Sequence, residues 1–171
     1  MSERLTEVVT TTDLDHHMFG LEDVIGDGVD FGDRWVAAGP HSVWVRTPFG
    51  NLDAILRLEE WDGEPDPAPD GDRGPWHDAV TVRMEYVGEN ESFVINQVTF
   101  GGQDSGFALS GPGCYHVRVS CRNGSKAEQA YRDVLARFDE DDWNSEACQR
   151  ATAEIDIKEE FLIQFWPAGM A

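Results

Sequence analysis

Basic residues are scarce in this sequence. It has 13 Lys and Arg against 33 Asp and Glu, which gives a formal net charge of −20 at pH 7. A field of that sign repels DNA, RNA and anionic lipid surfaces, and it attracts basic surfaces. We therefore expect no direct nucleic-acid binding, and we expect a basic protein as the partner. The alternative is that the acidity serves only to keep the protein soluble.

Long apolar runs and paired cysteines are missing as well. No stretch approaches the roughly 20 apolar residues that a membrane-spanning helix needs. The opening residues MSERLTEVV lack the basic and apolar regions of a secretory signal. Cys114, Cys121 and Cys148 form an odd set, which suits free thiols in a reducing compartment. We expect a cytoplasmic protein without membrane contact, whose oligomeric state the sequence leaves open.

The motifs of common enzymes are also lacking. The sequence contains no G-x-S-x-G, no H-E-x-x-H, no P-loop and no Rossmann glycine pattern. Cys114 and His116 fall on one face of a predicted strand, but no third group that would orient such a pair is evident. We therefore expect no catalytic residue, no enzyme activity and no cofactor.

Metal ligands are present only in loose patterns, chiefly within residues 13–33. His16 and His17 are adjacent, so on a strand they point to opposite faces and rarely bind one metal together. A second set of carboxylates does not match the EF-hand spacing and comprises Asp23, Asp27, Asp30 and Asp33. A solvated acidic loop is the interpretation we favour. A metal-binding module or metal-dependent enzyme using this loop remains an alternative.

The sequence contains enough apolar residues to form a hydrophobic core. Of its 171 residues 40% are apolar, with six Trp and nine Phe. A chain of this size buries roughly 70% of its unfolded surface without metals or disulfides. We expect one domain that covers residues 1–171.

Alternation of apolar and polar residues predicts short strands. The clearest is 79–87, where Val80, Val82, Met84 and Tyr86 share one face. The predicted strands are 5–12, 18–21, 42–47, 52–61, 79–87, 93–100, 106–110, 115–121 and 160–166. Residues 48–51 (PFGN) predict a hairpin turn. Residues 62–75 (DGEPDPAPDGDRGP) predict a mobile surface loop, which we call the proline loop.

One amphipathic helix is predicted after residue 124. Ser125 is its expected N-cap, with Glu128 completing a capping box, and the apolar stripe runs to Phe138. A weaker second helix is expected at 145–154. Together these segments predict a mostly β protein, an antiparallel β-sandwich of about eight strands with one amphipathic helix near the C-terminus. A partly closed barrel is the alternative.

Exposed aromatic residues beside carboxylates are the best candidates for binding a basic partner. Trp76 and Trp143 both adjoin loop sequence and strong negative charge, which suits a Lys- or Arg-rich surface. The predicted partner-binding residues are Glu59, Glu60, Asp62, Glu64, Trp76, Asp139, Glu140, Asp141, Asp142 and Trp143.

Four segments together resemble the competence protein J family of nuclease inhibitors. They are 17–21 (HMFGL), 35–45 with the aliphatic strand at 54–58, 109–118 (LSGPGCYHVR) and 161–167 (FLIQFWP). The long acidic loops and the helix at 126–138 depart from that family. The resemblance implies a cytoplasmic β-sandwich that binds and blocks a nuclease, with no catalytic residue.

The functional prediction joins the charge to this resemblance. We expect an acidic binding protein of the immunity or DNA-mimic type, which inhibits or sequesters a basic protein, a nuclease or toxin. An acidic surface occupies a basic DNA groove in place of phosphate, and steering by charge raises the association rate by roughly 10–10³-fold. A structural or regulatory β-sandwich, acidic only for solubility, is the alternative from another class.

Overall fold

Ten strands form two five-stranded sheets in the computed structural model, which describes residues 1–26 and 28–169. In chain order the strands are β1 (Arg4–Thr12), β2 (Met18–Glu22), β3 (Val36–Ala38), β4 (Ser42–Arg46), β5 (Ala54–Trp61), β6 (His77–Tyr86), β7 (Val94–Asn96), β8 (Gly102–Asp104), β9 (Gly113–Arg122) and β10 (Glu160–Pro167). Short 3₁₀ turns occupy Asp15–His17, Val98–Phe100 and Glu140–Asp142.

Each sheet collects strands from distant parts of the chain. The first sheet has the order β1-β5-β10-β9-β6 and the second has the order β3-β4-β2-β7-β8. β10 lies in the middle of the first sheet, where it pairs parallel with β5 and antiparallel with β9. The closing strand of the chain is therefore inserted between two strands that were formed from earlier sequence.

The core lies between the two sheets. Phe19 on β2 meets Phe161 on β10 with ring centroids 5.2 Å apart, and Phe93 meets Phe165 at 5.4 Å. All four rings are at most 1% exposed. Burying a side chain of this kind contributes roughly 1.5–3 kcal/mol relative to leaving it exposed, so this aromatic contact is a main source of stability.

Two helices lie between β9 and β10 in the chain. α1 (Gly124–Leu135) follows β9 directly, and α2 (Glu146–Ala153) packs against it. α1 begins at Gly124 after Asn123, whose φ of 65° is left-handed. Ser125 therefore lies within the first turn, so the predicted Ser125 cap and capping box are wrong. Glu128 instead accepts hydrogen bonds from Asn51 and Arg132.

The predicted fold class is correct at its coarser level and wrong in its details. The protein is mostly β, but it has ten strands where about eight were expected, and the weaker second helix expected at 145–154 is present as α2 beside the predicted amphipathic helix. The parallel pairing of β10 with β5 means that the sheets are not wholly antiparallel. Residues 106–110 form no strand, and the predicted strand at 93–100 ends at Asn96.

The predicted hairpin at residues 48–51 is also wrong. β4 belongs to the second sheet and β5 to the first, so the segment between them crosses from one sheet to the other. We call residues 47–53 the crossing segment. Turn residues such as Gly50 and Asn51 favour a bend, but they do not determine which sheet the next strand joins.

Candidate functional site

The carboxylates fall into two groups, one exposed and one buried. Six of the described carboxylates are at most 5% exposed, and they are Glu22, Asp23, Glu59, Glu60, Glu159 and Glu160. Burying a charge is costly unless the group is paired, hydrogen-bonded or neutralised. The partners of each buried carboxylate therefore decide whether it supports the fold or is free to bind.

Two of the predicted partner-binding residues, Glu59 and Glu60, are buried. Glu59 accepts hydrogen bonds from Arg4, Trp61 and Gln164, each at 2.9 Å. Glu60 accepts two at 2.8 Å from the backbone and hydroxyl of Ser110. Both side chains hold neighbouring segments together, which differs from the exposed position that the sequence interpretation gave them.

The proline loop lies across the outer face of the first sheet. Arg118 on β9 donates to the carbonyls of Pro65 and Asp66 at 2.9 and 3.0 Å. Arg73 forms an ion pair with Glu160 at 2.8 Å. The loop is irregular, as predicted, and its mobility stays a prediction. Its carboxylates at positions 62, 64, 66, 70 and 72 are all exposed.

Trp76, at the end of this loop, covers a buried ion pair. The guanidinium of Arg122 lies 4.1 Å from the centre of the indole ring. The same guanidinium donates to Glu160 from Nε at 2.8 Å and from Nη2 at 2.5 Å. Trp76 is half-buried, so part of it supports the fold by a cation–π contact.

The remaining predicted residues form one exposed acidic segment. Residues 139–143, which we call the acidic turn, are all exposed, and Trp143 is 42% exposed. The acidic turn follows the C-terminal end of α1, while Gly74 of the proline loop lies beside Asn123 and Lys126 at its N-terminal end. A 12-residue helix is about 18 Å long. The predicted binding residues therefore form two separate acidic segments.

The histidines and carboxylates that were candidate metal ligands do not come together among the described residues. Within residues 1–26 and 28–169, no cluster of three or more His, Cys, Asp or Glu is placed to hold a metal ion. Asp27, one of the predicted loop carboxylates, lies outside the described residues. The carboxylate of Asp23 accepts hydrogen bonds from the backbone N–H groups of Val87, Gly88 and Glu89. His116 lies against Trp166, with ring centroids 5.4 Å apart.

The most unusual carboxyl group is that of Glu159, which the sequence interpretation did not single out. Its side chain is 5% exposed. It accepts one hydrogen bond, from the hydroxyl of Thr47 at 2.7 Å. Its other oxygen, Oε2, is buried without a hydrogen-bond partner among the described residues. Burial raises the pKa of Glu159 to about 7, against a lowering by the Thr47 hydrogen bond.

Two clefts meet at this carboxyl group. The helix-side cleft, of about 360 Å³, is lined by the first turn of α1, the start of β6 and Glu159. The sheet-side cleft, of about 260 Å³, is lined by Trp35, Pro48, Phe161 and Glu159. Phe49, Asp78 and Cys121 line both clefts. Burial and then the charges of Glu159 and Asp78 raise the pKa of Cys121 to about 11, so this thiol is not a nucleophile at neutral pH.

The crossing segment contributes Thr47 and Phe49, which contact each other and surround Glu159. The backbone N–H of Phe49 donates to Thr47 Oγ1 at 3.1 Å, and Thr47 in turn donates to Glu159. Gly124 allows the close approach, because a Cβ atom there would lie 2.9 Å from Glu159 Oε1 and would collide with the ring of Phe49. The signal in the sequence was the pair Glu159-Glu160 at the start of β10, a strand that carries apolar residues on both faces, as central strands do.

Comparison with known proteins defines a fold class, that of a β protein built from two five-stranded sheets. No protein-family model matches the chain, and no curated protein sequence matches it. Among solved structures, the fold is similar to the crystal structure of ComJ, inhibitor of the DNA degrading activity of NucA, from Bacillus subtilis. The likeness covers 98% of this chain and 99% of that chain, with a TM-score of 0.56 and 11% identity. It confirms at the level of the fold the resemblance to the competence protein J family.

A last observation concerns membranes. Within the part of the chain that the structure describes, neither helix has the length and apolar character needed to cross a bilayer.

Proposed function

We propose that this chain is a cytoplasmic acidic inhibitor of a basic protein partner, a nuclease, and that it has no catalytic activity of its own. The observation that carries the proposal is the fold likeness to a nuclease inhibitor over 98% of the chain. A shared fold alone does not fix a function, so the charge of this chain is the second support.

The charge suits such a partner. A nuclease presents a basic groove to DNA, and a protein with a net charge of −20 is attracted to that groove. The acidic turn combines four exposed carboxylates with the exposed Trp143. Carboxylates supply steering, and a large aromatic side chain supplies short-range affinity. We propose the acidic turn as the main contact and the exposed acids Asp62 and Glu64, together with Trp76, as a second one.

The proposal is tested by capturing the partner and assaying it. The purified chain is immobilised, native lysate is passed over it, and bound protein is eluted between about 0.05 and 0.5 M salt, a range in which screening becomes strong. Each recovered protein is then assayed for DNA degradation with and without the chain. We expect a basic nuclease that a slight molar excess of the chain inhibits, less strongly as salt rises. Recovery of no nuclease, or of one whose activity is unchanged, would overturn the proposal.

Two matched variants then locate the contact. The first neutralises the acidic turn by Asp139→Asn, Glu140→Gln, Asp141→Asn and Asp142→Asn. The second removes the same charge from the proline loop by Asp62→Asn, Glu64→Gln, Asp66→Asn and Asp70→Asn. All eight positions are exposed, so we expect both variants to keep their stability within about 0.5 kcal/mol per substitution. We expect the first variant to weaken inhibition by at least about tenfold, which is about 1.4 kcal/mol of binding. Equal loss in both variants would contradict the acidic turn as the main contact.

A further inference from the structure

Glu159 is a buried carboxyl group that lacks a counter-ion among the described residues. Glu159 Oε2 is buried and unpartnered among the described residues, and the carboxyl group lines both clefts. An unpaired polar atom in the interior is costly, and more so if it is charged. A group held at such a cost marks a site where an incoming donor gains more than it would at the surface.

The two arginines that line these clefts are engaged elsewhere. Arg122 is bound to Glu160. Arg46 donates to the carbonyls of Gly32 and Arg34, with its guanidinium 5.0 Å from the ring centre of Phe31. Lys126 is exposed at the first turn of α1. Burial and one neutral hydroxyl set the pKa of Glu159, so no cation of the described residues compensates it.

The walls of the sheet-side cleft are mainly aromatic and apolar, with Arg46, Thr47 and Cys121 completing them. Trp35, Phe49 and Phe161 line it, together with Pro48, and Asp78 adds a second carboxylate that is exposed to solvent. Its volume of about 260 Å³ lies below the range of roughly 300–1,000 Å³ that is typical of small-molecule sites. Aromatic walls above a carboxylate suit a guanidinium, which stacks on rings and donates to the carboxylate in its plane.

We propose that the sheet-side cleft receives one arginine side chain of the basic protein partner, with its guanidinium donating to Glu159. This inference rests on the proposed inhibitor function and names the chemistry of its contact. The half-buried ring of Phe49 lines both clefts and lies against Gly124 beside Glu159 Oε1. Because Oε2 is shielded from solvent, this binding requires the ring of Phe49 to rotate away from Glu159.

The charged groups that line the clefts around Glu159 come from four elements. They are Arg46 on β4, His77 and Asp78 on β6, Cys121 and Arg122 on β9, and Lys126 with Glu128 on α1. A guanidinium binds the ionised form of Glu159, so binding strengthens as this carboxyl group loses its proton near pH 7. His77 also lines the helix-side cleft, so the pH response must be compared between variants.

The first test uses the full chain alone, with N-acetyl-arginine methylamide as the probe and its norleucine analogue as the uncharged control. Binding is followed by NMR shifts of Phe49 and Trp35. We expect the arginine probe to bind about tenfold more tightly at pH 8 than at pH 6, because the ionised fraction of a group with a pKa near 7 changes by about that factor. Glu159→Gln should lose this binding and its pH dependence, whereas the exposed Glu154→Gln should keep both. No binding, equal binding of norleucine, or an unchanged pH response in Glu159→Gln would overturn the inference.

The second test uses inhibition of the captured nuclease. We expect Glu159→Gln to weaken inhibition by at least about tenfold and Trp35→Leu by a few-fold, with Glu154→Gln unchanged. If the wild-type chain inhibits no nuclease, the proposed function fails while the probe test still decides the cleft. If the wild-type chain and Glu159→Gln inhibit equally, only the arginine site fails. Circular dichroism confirms that each variant is folded, and Trp35→Leu decides the point if Glu159→Gln is not.

Discussion

Glu159 and Glu160 are neighbours in sequence, both are buried, and the fold treats them in opposite ways. Glu160 points to the outer face of the first sheet, where Arg122 and Arg73 neutralise it and the proline loop covers it. Glu159 points to the end of the core, where a single hydroxyl faces it and one oxygen stays unpartnered. The pair teaches that burial alone does not distinguish a structural carboxylate from a binding one; the counter-ions do.

The largest effect on stability is expected when Glu160, the carboxyl group that has counter-ions, is replaced. Glu160→Gln leaves the guanidinium of Arg122, which is 7% exposed, without a counter-ion. Removing one partner of a buried ion pair costs about 3–5 kcal/mol. We expect the free energy of unfolding in urea to fall by that amount. Arg73 is 61% exposed, so Arg73→Gln serves as the control and should cost less than about 1 kcal/mol.

If Glu160→Gln lowered the free energy of unfolding as little as Arg73→Gln does, the contrast between Glu159 and Glu160 would be wrong. A double variant, Glu160→Leu with Arg122→Met, tests the same ion pair by removing both partners. Replacing a whole buried pair by apolar residues is often neutral or stabilising by roughly 1–4 kcal/mol. We therefore expect the double variant to be more stable than Glu160→Gln alone.

The next effect on stability concerns Glu159, the carboxyl group without a counter-ion, and it depends on pH. The pKa of Glu159 is about 7 in the folded chain and 4.5 in its ordinary state. The folded state therefore holds this proton more tightly, and the stability from it is complete below about pH 4.5 and is lost as pH rises through 7. The difference corresponds to about 3 kcal/mol.

We expect Glu159→Gln, which cannot ionise, to avoid this loss. Relative to the wild type, its free energy of unfolding should rise by up to about 3 kcal/mol between pH 5 and pH 8, as measured by urea unfolding at several pH values. The exposed Glu154→Gln should follow the wild type throughout. If the free energies of unfolding of the wild type and of Glu159→Gln differed by the same amount at every pH, Glu159 would not be a carboxyl group that lacks a counter-ion.

The sequence predicted the strands well where the pattern is local. The alternation at Val80, Val82, Met84 and Tyr86 predicted β6, and the apolar run at 160–166 predicted β10. It failed where the outcome depends on distant segments. The turn residues at 48–51 predicted a hairpin, because nothing local shows that β5 pairs with β1 and β10 rather than with β4.

The site was harder to predict for the same reason. Glu59 and Glu60 were interpreted as surface acids, although their partners Gln164 and Ser110 lie 105 and 50 residues away. Glu159 depends on Thr47, which is 112 residues distant. The acidic turn and the acids of the proline loop, whose exposure follows from dense local runs of polar residues, could be placed from sequence, and their role in binding stays a proposal.

The smallest effect tests the single hydroxyl that faces Glu159. Thr47→Val keeps the shape of the side chain but removes the hydrogen bonds to Glu159 and from the N–H of Phe49. The Thr47 hydrogen bond lowers the pKa of Glu159, so the variant should raise that pKa, measured by NMR titration of the carboxyl carbon. The stability cost should be about 1 kcal/mol larger at pH 9 than at pH 5, because only the ionised carboxylate loses a strong acceptor interaction. Thr47→Ser retains the hydroxyl and should titrate like the wild type; if Thr47→Val did so too, the carboxyl group would have found another donor, and the contrast between Glu159 and Glu160 would be smaller than the structure indicates.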